Sequence, residues 1–356
     1  MSVVNSQTVS AAPAALQDHP VVSSAIAVIL ALLVGAALIA AWGADPIKAY
    51  AALLDGVFGN WNSLAETLLR AIPLTFTGLA VAIAFRGGAF NVGAEGQLFL
   101  GGAAAAFIGL AAPGLPAPLL IVVMMLAAAA AGALWSGLAG ALKLRFGANE
   151  LITTIMLNYV AIYFVSYLLH GPLQEANGYL PQTERLARNA NLPTLIEKTR
   201  LHIGFLIAIA AVVLTHIALW RTVWGFKLRV VGLNARAALN AGMGVAGVAL
   251  SAFLASGALA GLAGYMEVIG VQHRMIENLS PGYGYTGIIV ALLGQTNPFG
   301  VLAAAILFAA LQVGATTMES AAGVPGTIAT IIQGMVVLFL IGRGAVGLVF
   351  RPFARA

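Results

Sequence analysis

Residues 21–42 read Val21-Val-Ser-Ser-Ala-Ile-Ala-Val-Ile-Leu-Ala-Leu-Leu-Val-Gly-Ala-Ala-Leu-Ile-Ala-Ala-Trp42, a stretch without one ionisable side chain. A helix crosses the hydrocarbon of a bilayer in about 20 apolar residues, each rising ~1.5 Å through a layer ~30 Å thick. The stretch meets both conditions, and it is not alone. Leu119–Leu142, Leu201–Trp220, Val245–Tyr265 and the regions around Val301–Val313 and Ile328–Ile341 repeat it. An outer-membrane barrel would alternate apolar and polar residues with period two, and these runs do not. The expected fold is an all-α membrane protein, a polytopic helical bundle.

The rest of the composition agrees. Of 356 residues, 61% are hydrophobic and 8% charged, with a mean hydropathy of +0.97; a surface facing water calls for roughly 25% charged residues. The lack of cysteine excludes disulfides, thiolate metal sites and cysteine nucleophiles. A net charge of +5 suits loops that hold Lys and Arg on one side of a membrane, and it gives no argument for nucleic acid. Residues 1–20 lack the basic region of a cleavable signal and read as a solvated N-terminal tail.

Pro, Gly and charge breaks divide the chain into about ten membrane segments, near 21–42, 62–85, 90–112, 117–142, 150–169, 202–220, 245–270, 284–294, 298–318 and 324–342. The 284–294 segment is short for a full crossing. With the N-terminus inside, the inner side holds Arg86, Lys143, Arg145, Arg221, Lys227, Arg229, Arg236, Arg343, Arg351 and Arg355. The outer side holds the smaller set Lys48, Arg70, Arg185, Arg188, Lys198, Arg200 and Arg274. Basic loops stay inside, so both termini, including the tail 343–356, are placed in the cytoplasm. The outer loop 171–200 is the longest polar stretch, with Pro172, Pro181 and Pro193 to stiffen it over the outer mouth.

Two regions share a pattern. After the segment 62–85 comes Arg86-Gly-Gly-Ala-Phe-Asn-Val-Gly-Ala-Glu-Gly-Gln97, and after 245–270 comes Ser280-Pro-Gly-Tyr-Gly-Tyr-Thr-Gly287. Each is a glycine-rich, helix-unfriendly opening to another apolar run, the first at the inner face and the second at the outer. Interrupted helices in matching positions of an inverted repeat mark transporter cores, whose solute sites lie near the repeat interface. Tyr283, Tyr285 and Thr286 are candidate pathway residues on the second opening.

On the first opening, Asn91, Glu95 and Gln97 stand beside Gly93 and Gly96 at membrane depth, where a carboxylate is costly and faces a cavity or a partner. They read equally as a pathway or gating element and as tight packing with Glu95 capping helix amides. Thr154 and Asn158, four apart, share one face of a helix that Asn149 or Glu150 caps. That polar stripe either lines a pore or bonds to neighbouring helices. Glu267, His273, Arg274 and Glu277 form a charged group at the outer end of the 245–270 helix, solvated and mutually paired unless a soluble partner meets it. No metal-site spacing of histidines, no G-x-x-x-x-G-K-[ST] phosphate loop and no G-x-S-x-G motif occurs.

The loop 221–243, Arg-Thr-Val-Trp-Gly-Phe-Lys-Leu-Arg-Val-Val-Gly-Leu-Asn-Ala-Arg-Ala-Ala-Leu-Asn-Ala-Gly-Met, carries more order than a connection needs. Asn234 can serve as N-cap, residues 235–241 favour helix, and Gly242 can end it. A short helix with small residues on its surface, outside the bilayer on the basic side, suits the cleft of a cytoplasmic partner.

Taken together, Phe90–Gln97, the run Gly225 to Met243, and Gly284–Gly294 resemble the permease subunits of bacterial ABC importers for simple sugars, nucleosides and branched-chain amino acids, over most of the chain from about residue 60. The stretch Gly178-Tyr-Leu-Pro-Gln-Thr183 looks most like the nucleoside-type permeases. Arg229-Val230 departs mildly from the Arg-Ala expected before Val231-Gly232. The resemblance implies a permease in the bacterial cytoplasmic membrane that is no enzyme and binds no cofactor itself. ATP and Mg would belong to a cytoplasmic ATPase. A second, different permease and an extracytoplasmic solute-binding protein would complete the complex. It also implies that Gly232, Leu233, Asn234, Arg236, Ala237, Ala238 and Gly242 belong to a coupling helix that docks into the ATPase. An ion-coupled secondary transporter using Glu95 and, further off, an intramembrane enzyme are the competing readings.

Overall fold

Inside hydrocarbon every backbone N–H and C=O must be paired by protein, and a helix does this within one segment. In a computed structural model, which describes residues 20–176 and 178–349, the chain forms thirteen α-helices among the described residues. They are α1 (Pro20–Ala41), α2 (Pro46–Phe58), α3 (Trp61–Arg86), α4 (Ala94–Ala111), α5 (Ala117–Phe146), α6 (Glu150–Leu169), α7 (Gly204–Arg221), α8 (Val223–Leu233), α9 (Ala235–Asn240), α10 (Val245–Tyr265), α11 (Tyr283–Leu293), α12 (Pro298–Ala322) and α13 (Thr327–Val349). A π-helical turn, Met266–Gln272, prolongs α10.

Each of the ten expected segments falls on a helix. Eight of these, α1, α3 to α7, α10 and α12, are long and apolar enough to cross a membrane. At 11 residues, α11 is ~16 Å long, about half a crossing. The expected tail from residue 343 is helical as far as Val349, whereas residues 1–19 and 350–356 lie outside the described residues. Two helices were not expected. One is α2, which Asp45 caps by accepting from the amides of Ile47 and Lys48 and which opens with Pro46. It packs along α12, where Gly56 sits against Thr317. The other is α8, capped by the Thr222 hydroxyl accepting from Gly225 N.

The core is built on close backbone approach. A Cβ on Gly132 of α5 would lie 2.2 Å from Gly257 O, and one on Gly261 of α10 would lie 2.2 Å from Ala128 O. On the next face, a Cβ on Gly264 would lie 1.9 Å from Leu98 O of α4. Small residues at one-turn spacing let membrane helices touch by backbone, where dispersion replaces the hydrophobic force that lipid does not supply. Around this seam the repeat partners exchange: α10 packs on α4, and α11 packs on α3. The two glycine-rich openings, expected at opposite faces, lie side by side inside the bundle, where Gly284 N donates to Glu95 Oε2.

The described residues of the loop 171–200 pack over the end of the bundle that carries residues 273–276. Thr183 N donates to Met275 O and Leu186 N to His273 O, both at 2.9 Å. Asn189 reaches the carbonyls of Pro113 (2.9 Å) and Leu115 (3.0 Å). His202, in the segment ahead of α7, is 1% exposed and its Nδ1 accepts from Gly204 N. Burial, with the positive charges of His273 and Arg200 after it, lowers its pKa from 6.5 to about 4. The folded imidazole is therefore neutral, and unfolding lets it bind a proton at its ordinary pKa. Stability is full above pH 6.5 and falls as the pH drops towards 4, by up to about 3 kcal/mol from this residue. Thermal unfolding of the detergent-solubilised protein at pH 7.5 and pH 5 checks this; His202→Asn, which keeps an acceptor for Gly204, is expected to flatten the pH slope.

Candidate translocation site and coupling loop

The break between α3 and α4 leaves residues 87–93 outside any helix. Four polar side chains take up the exposed groups. Asn91 is fully buried; its Oδ1 accepts from Gly93 N (2.9 Å) and Gln97 Nε2 (3.0 Å). Its Nδ2 reaches Gln97 Oε1 (3.1 Å), Ser136 Oγ on α5 (3.2 Å) and Ser256 Oγ on α10 (2.9 Å). From α6, Asn158 Oδ1 accepts from Gly96 N (2.8 Å) while its Nδ2 donates to Val92 O (3.0 Å). Thr154 Oγ1 accepts from Val92 N (3.3 Å). On the side of the basic loop, Phe90 N donates to Glu150 (3.2 Å), whose carboxylate also pairs with Lys143.

The second break meets the first. Glu95 Oε2 accepts from Gly284 N at 2.6 Å, and the Ser280 hydroxyl accepts from Gly282 N (3.1 Å) and Tyr283 N (2.9 Å) ahead of it. The start of α11 thereby abuts the start of α4, with its positive dipole end on a carboxylate. A Cβ on Gly284 would fall 2.3 Å from Glu95 N, so no larger residue fits at this junction. On the other flank Thr77 Oγ1 of α3 donates to Tyr283 O (3.1 Å). Tyr285 is 39% exposed, its hydroxyl 3.4 Å from Asn158 Nδ2. Thr286 is half-buried in the first turn of α11.

The expected site residues therefore divide. Asn91, Gln97, Thr154 and Asn158 are buried inside the subunit and satisfied by protein, so they hold the broken helix in shape. Glu95 and Tyr285 border a cavity of about 360 Å³ together with Phe99, Tyr163, Ser166 and Glu277. Tyr283 is buried. The charged group at the end of α10 is not mutually paired: Glu267 is buried, Arg274 meets Glu175 (3.5 Å), and Glu277 accepts from Ser166 Oγ (2.6 Å). Tyr163 and Ser166 had no signal in the sequence beyond polarity on a membrane helix.

The loop 221–243 folds as two helices. Asn234 caps α9 by accepting from Ala237 N (3.0 Å), and Gly242 ends it in the left-handed region at φ 75°. Ala238, expected on the outward face, is fully buried in a cluster with Leu228, Val231 and Val248. The outward residues are Leu233 (88% exposed) and Leu239 (64%), with Arg236 and Ala237 between them. Gly232 rests on the end of α3, where a Cβ would lie 2.1 Å from Arg86 O. Arg86 in turn donates to Gln295 O (3.2 Å) and Thr296 O (3.3 Å). Those two residues hold φ values of 53° and 54°, a left-handed conformation that persists only when its surroundings fix it.

Two interrupted helices meeting within a bundle of long apolar helices, with an ordered loop on one face, define a membrane transport protein. A family model for branched-chain amino acid transport system permease components matches residues 63–341, and the chain belongs to that family. It is 41% identical to a glucose ABC transporter permease protein of Haloferax volcanii, covering 89% of this chain and 86% of the relative. It is 38% identical to the guanosine ABC transporter permease protein NupP of Bacillus subtilis (90% and 93% covered). To the nucleoside ABC transporter permease protein NupB of Lactococcus lactis it is 34% identical (88% and 89%). In each of the last two organisms a second permease of the same designation also matches, at 27% and 25% identity. No solved structure matches the chain.

Glu95→Leu removes the acceptor of Gly284 N and is expected to cost about 1–3 kcal/mol, because a buried amide is left unpaired. Glu95→Gln, which keeps an acceptor oxygen, should lose less. Melting temperatures of the two purified variants, compared in one detergent, check the order.

Proposed function

We propose that this chain is one of two permease subunits of an ABC importer in the cytoplasmic membrane, carrying nucleosides by alternating access. It would sit with both termini in the cytoplasm, the loop 221–243 on an ATPase and the loop 171–200 towards a solute-binding protein. Hydrolysis of ATP with its Mg belongs to the ATPase, and nothing in this chain's motifs binds the nucleotide. The observation that carries the coupling role is the ordered loop itself: α8 and α9 present Leu233 and Leu239 outward while Gly232 bears on Arg86 O. The nucleoside class is supported by the guanosine and nucleoside permeases, similar over nearly the whole chain, and by the like pairing of permeases in both organisms.

With Ala238 turned inward, the docking surface is tested at Leu239. Leu239→Arg is expected to abolish solute-stimulated ATP hydrolysis by the assembled complex while leaving membrane insertion intact; unchanged stimulation would remove α9 from the docking role. The glucose relative carries a second reading, a simple sugar. Uptake of labelled guanosine and labelled glucose by cells expressing the complete importer separates the two. Guanosine uptake that ATP depletion stops and an ionophore spares is the expected result, and it also excludes the ion-coupled alternative.

A further inference from the structure

The cavity beside the helix junction lies between α4, α6 and residues 277–285, and its chemistry is divided. Phe99, Tyr163 and Tyr285 supply rings, whereas Ser166, Glu277 and Asn278 supply donors and acceptors. A sugar needs mainly the second set. A planar heterocycle joined to a polyol needs both, since aromatic faces take the base and a carboxylate and amide take vicinal hydroxyls. Its volume, about 360 Å³, is in the range of small-molecule sites.

One turn ahead of the cavity on α6 stands Tyr159. Tyr159, Tyr163 and Ser166 stand at i, i+4 and i+7, on one helix face. Tyr159 is 50% exposed and Tyr163 71%, so neither ring is packed away inside the subunit. In a helix running from Glu150 to Leu169, Tyr159 lies near the middle, about 14 Å from the start. Tyrosines facing lipid collect at the headgroups, where the hydroxyl meets water, and a hydroxyl at the bilayer centre goes unpaired at a cost of about 1–3 kcal/mol or more. The face holding Tyr159 is therefore better matched to a wet pathway than to acyl chains. The flank holding Phe164, also exposed, is apolar and suits lipid.

We propose that this cavity is a half-site for the base and ribose of a nucleoside in transit. Tyr163 and Tyr285 offer the base their faces, Glu277 with Ser166 and Asn278 holds the sugar hydroxyls, and Tyr159 extends the aromatic track to mid-membrane. The inference rests on the nucleoside reading above and adds the residues that recognise the two halves of the solute.

Because this chain has no cysteine, any label found on it in proteoliposomes holding the complete importer comes from the introduced residue. Tyr159→Cys and Tyr163→Cys are expected to react with a water-soluble methanethiosulfonate, Phe164→Cys is not, and guanosine with its binding protein should slow the reaction at position 163. Guanosine uptake should fall about tenfold in Tyr163→Leu and stay within about twofold of wild type in Tyr163→Phe, as loss of one stacking contact dictates. Unreactive cysteines at 159 and 163, or full guanosine uptake by Tyr163→Leu, would overturn the half-site while wild-type guanosine uptake left the nucleoside reading standing. A wild-type importer that moves glucose and no guanosine would overturn that reading and the base-stacking role with it, whereas the cysteine pattern would still decide whether α6 faces water.

Discussion

The structure depends on one constraint: a helix broken inside a bilayer exposes amides and carbonyls that no solvent will pair. Here the break at 87–93 is repaired from three other helices, through Ser136 on α5, Thr154 and Asn158 on α6, and Ser256 on α10. The repair is reciprocal at Asn158, whose buried amide spends its oxygen on Gly96 N and its nitrogen on Val92 O. Removing either side leaves the other stranded, which is why the polar residues and the glycine-rich openings belong to one device. Glu95 closes it by taking the amide of Gly284 from the second break.

Such repair works only over short distances, and the glycine seam sets them. With Gly132, Gly257 and Gly261 at backbone contact, α5 and α10 approach closely enough for Ser136 and Ser256 to reach the same asparagine. An alanine at Gly264 would push α4 from α10 and carry Leu98, Gln97 and Glu95 with it. Packing and polar pairing are thus not separate contributions. The first fixes the geometry that makes the second satisfiable, and a dry, satisfied wall on this side leaves the cavity with Tyr163 and Tyr285 as the place where polar groups stay available.

Much of this is legible in the sequence. Apolar runs gave the crossing helices, the two glycine-rich openings gave the junction, and Asn234 with Gly242 gave α9, because each signal is local and has a physical reason. What was not legible is instructive. The helix α2 carries Lys48 and Asp55 in 13 residues and matches no membrane pattern, although Asp45-Pro46 is a helix start that could have been read. The inward turn of Ala238 follows from α9 packing on α8 and α10, a tertiary fact that propensity does not hold. Asn91 and Asn158 looked alike as membrane-embedded amides; only the three-dimensional arrangement shows that both are consumed in holding the break, whereas Tyr163 and Ser166, which the sequence had not marked, border the cavity.

The two ends of the molecule are joined through the same helices. Gly232 of the basic loop bears on Arg86 O, and Arg86 holds the left-handed turn at Gln295 and Thr296 that ends α11. Farther along, Thr77 of α3 bonds to Tyr283 at the start of α11, beside Glu95 and the cavity. A shift of α8 and α9 therefore meets α3 and α11 as a pair, tied at both ends, and moves the junction without first breaking the hydrogen bonds inside it. The pair α3 and α11 thus spans from the loop of α8 and α9 to the cavity that Glu95 and Tyr285 border, held by hydrogen bonds at both of its ends.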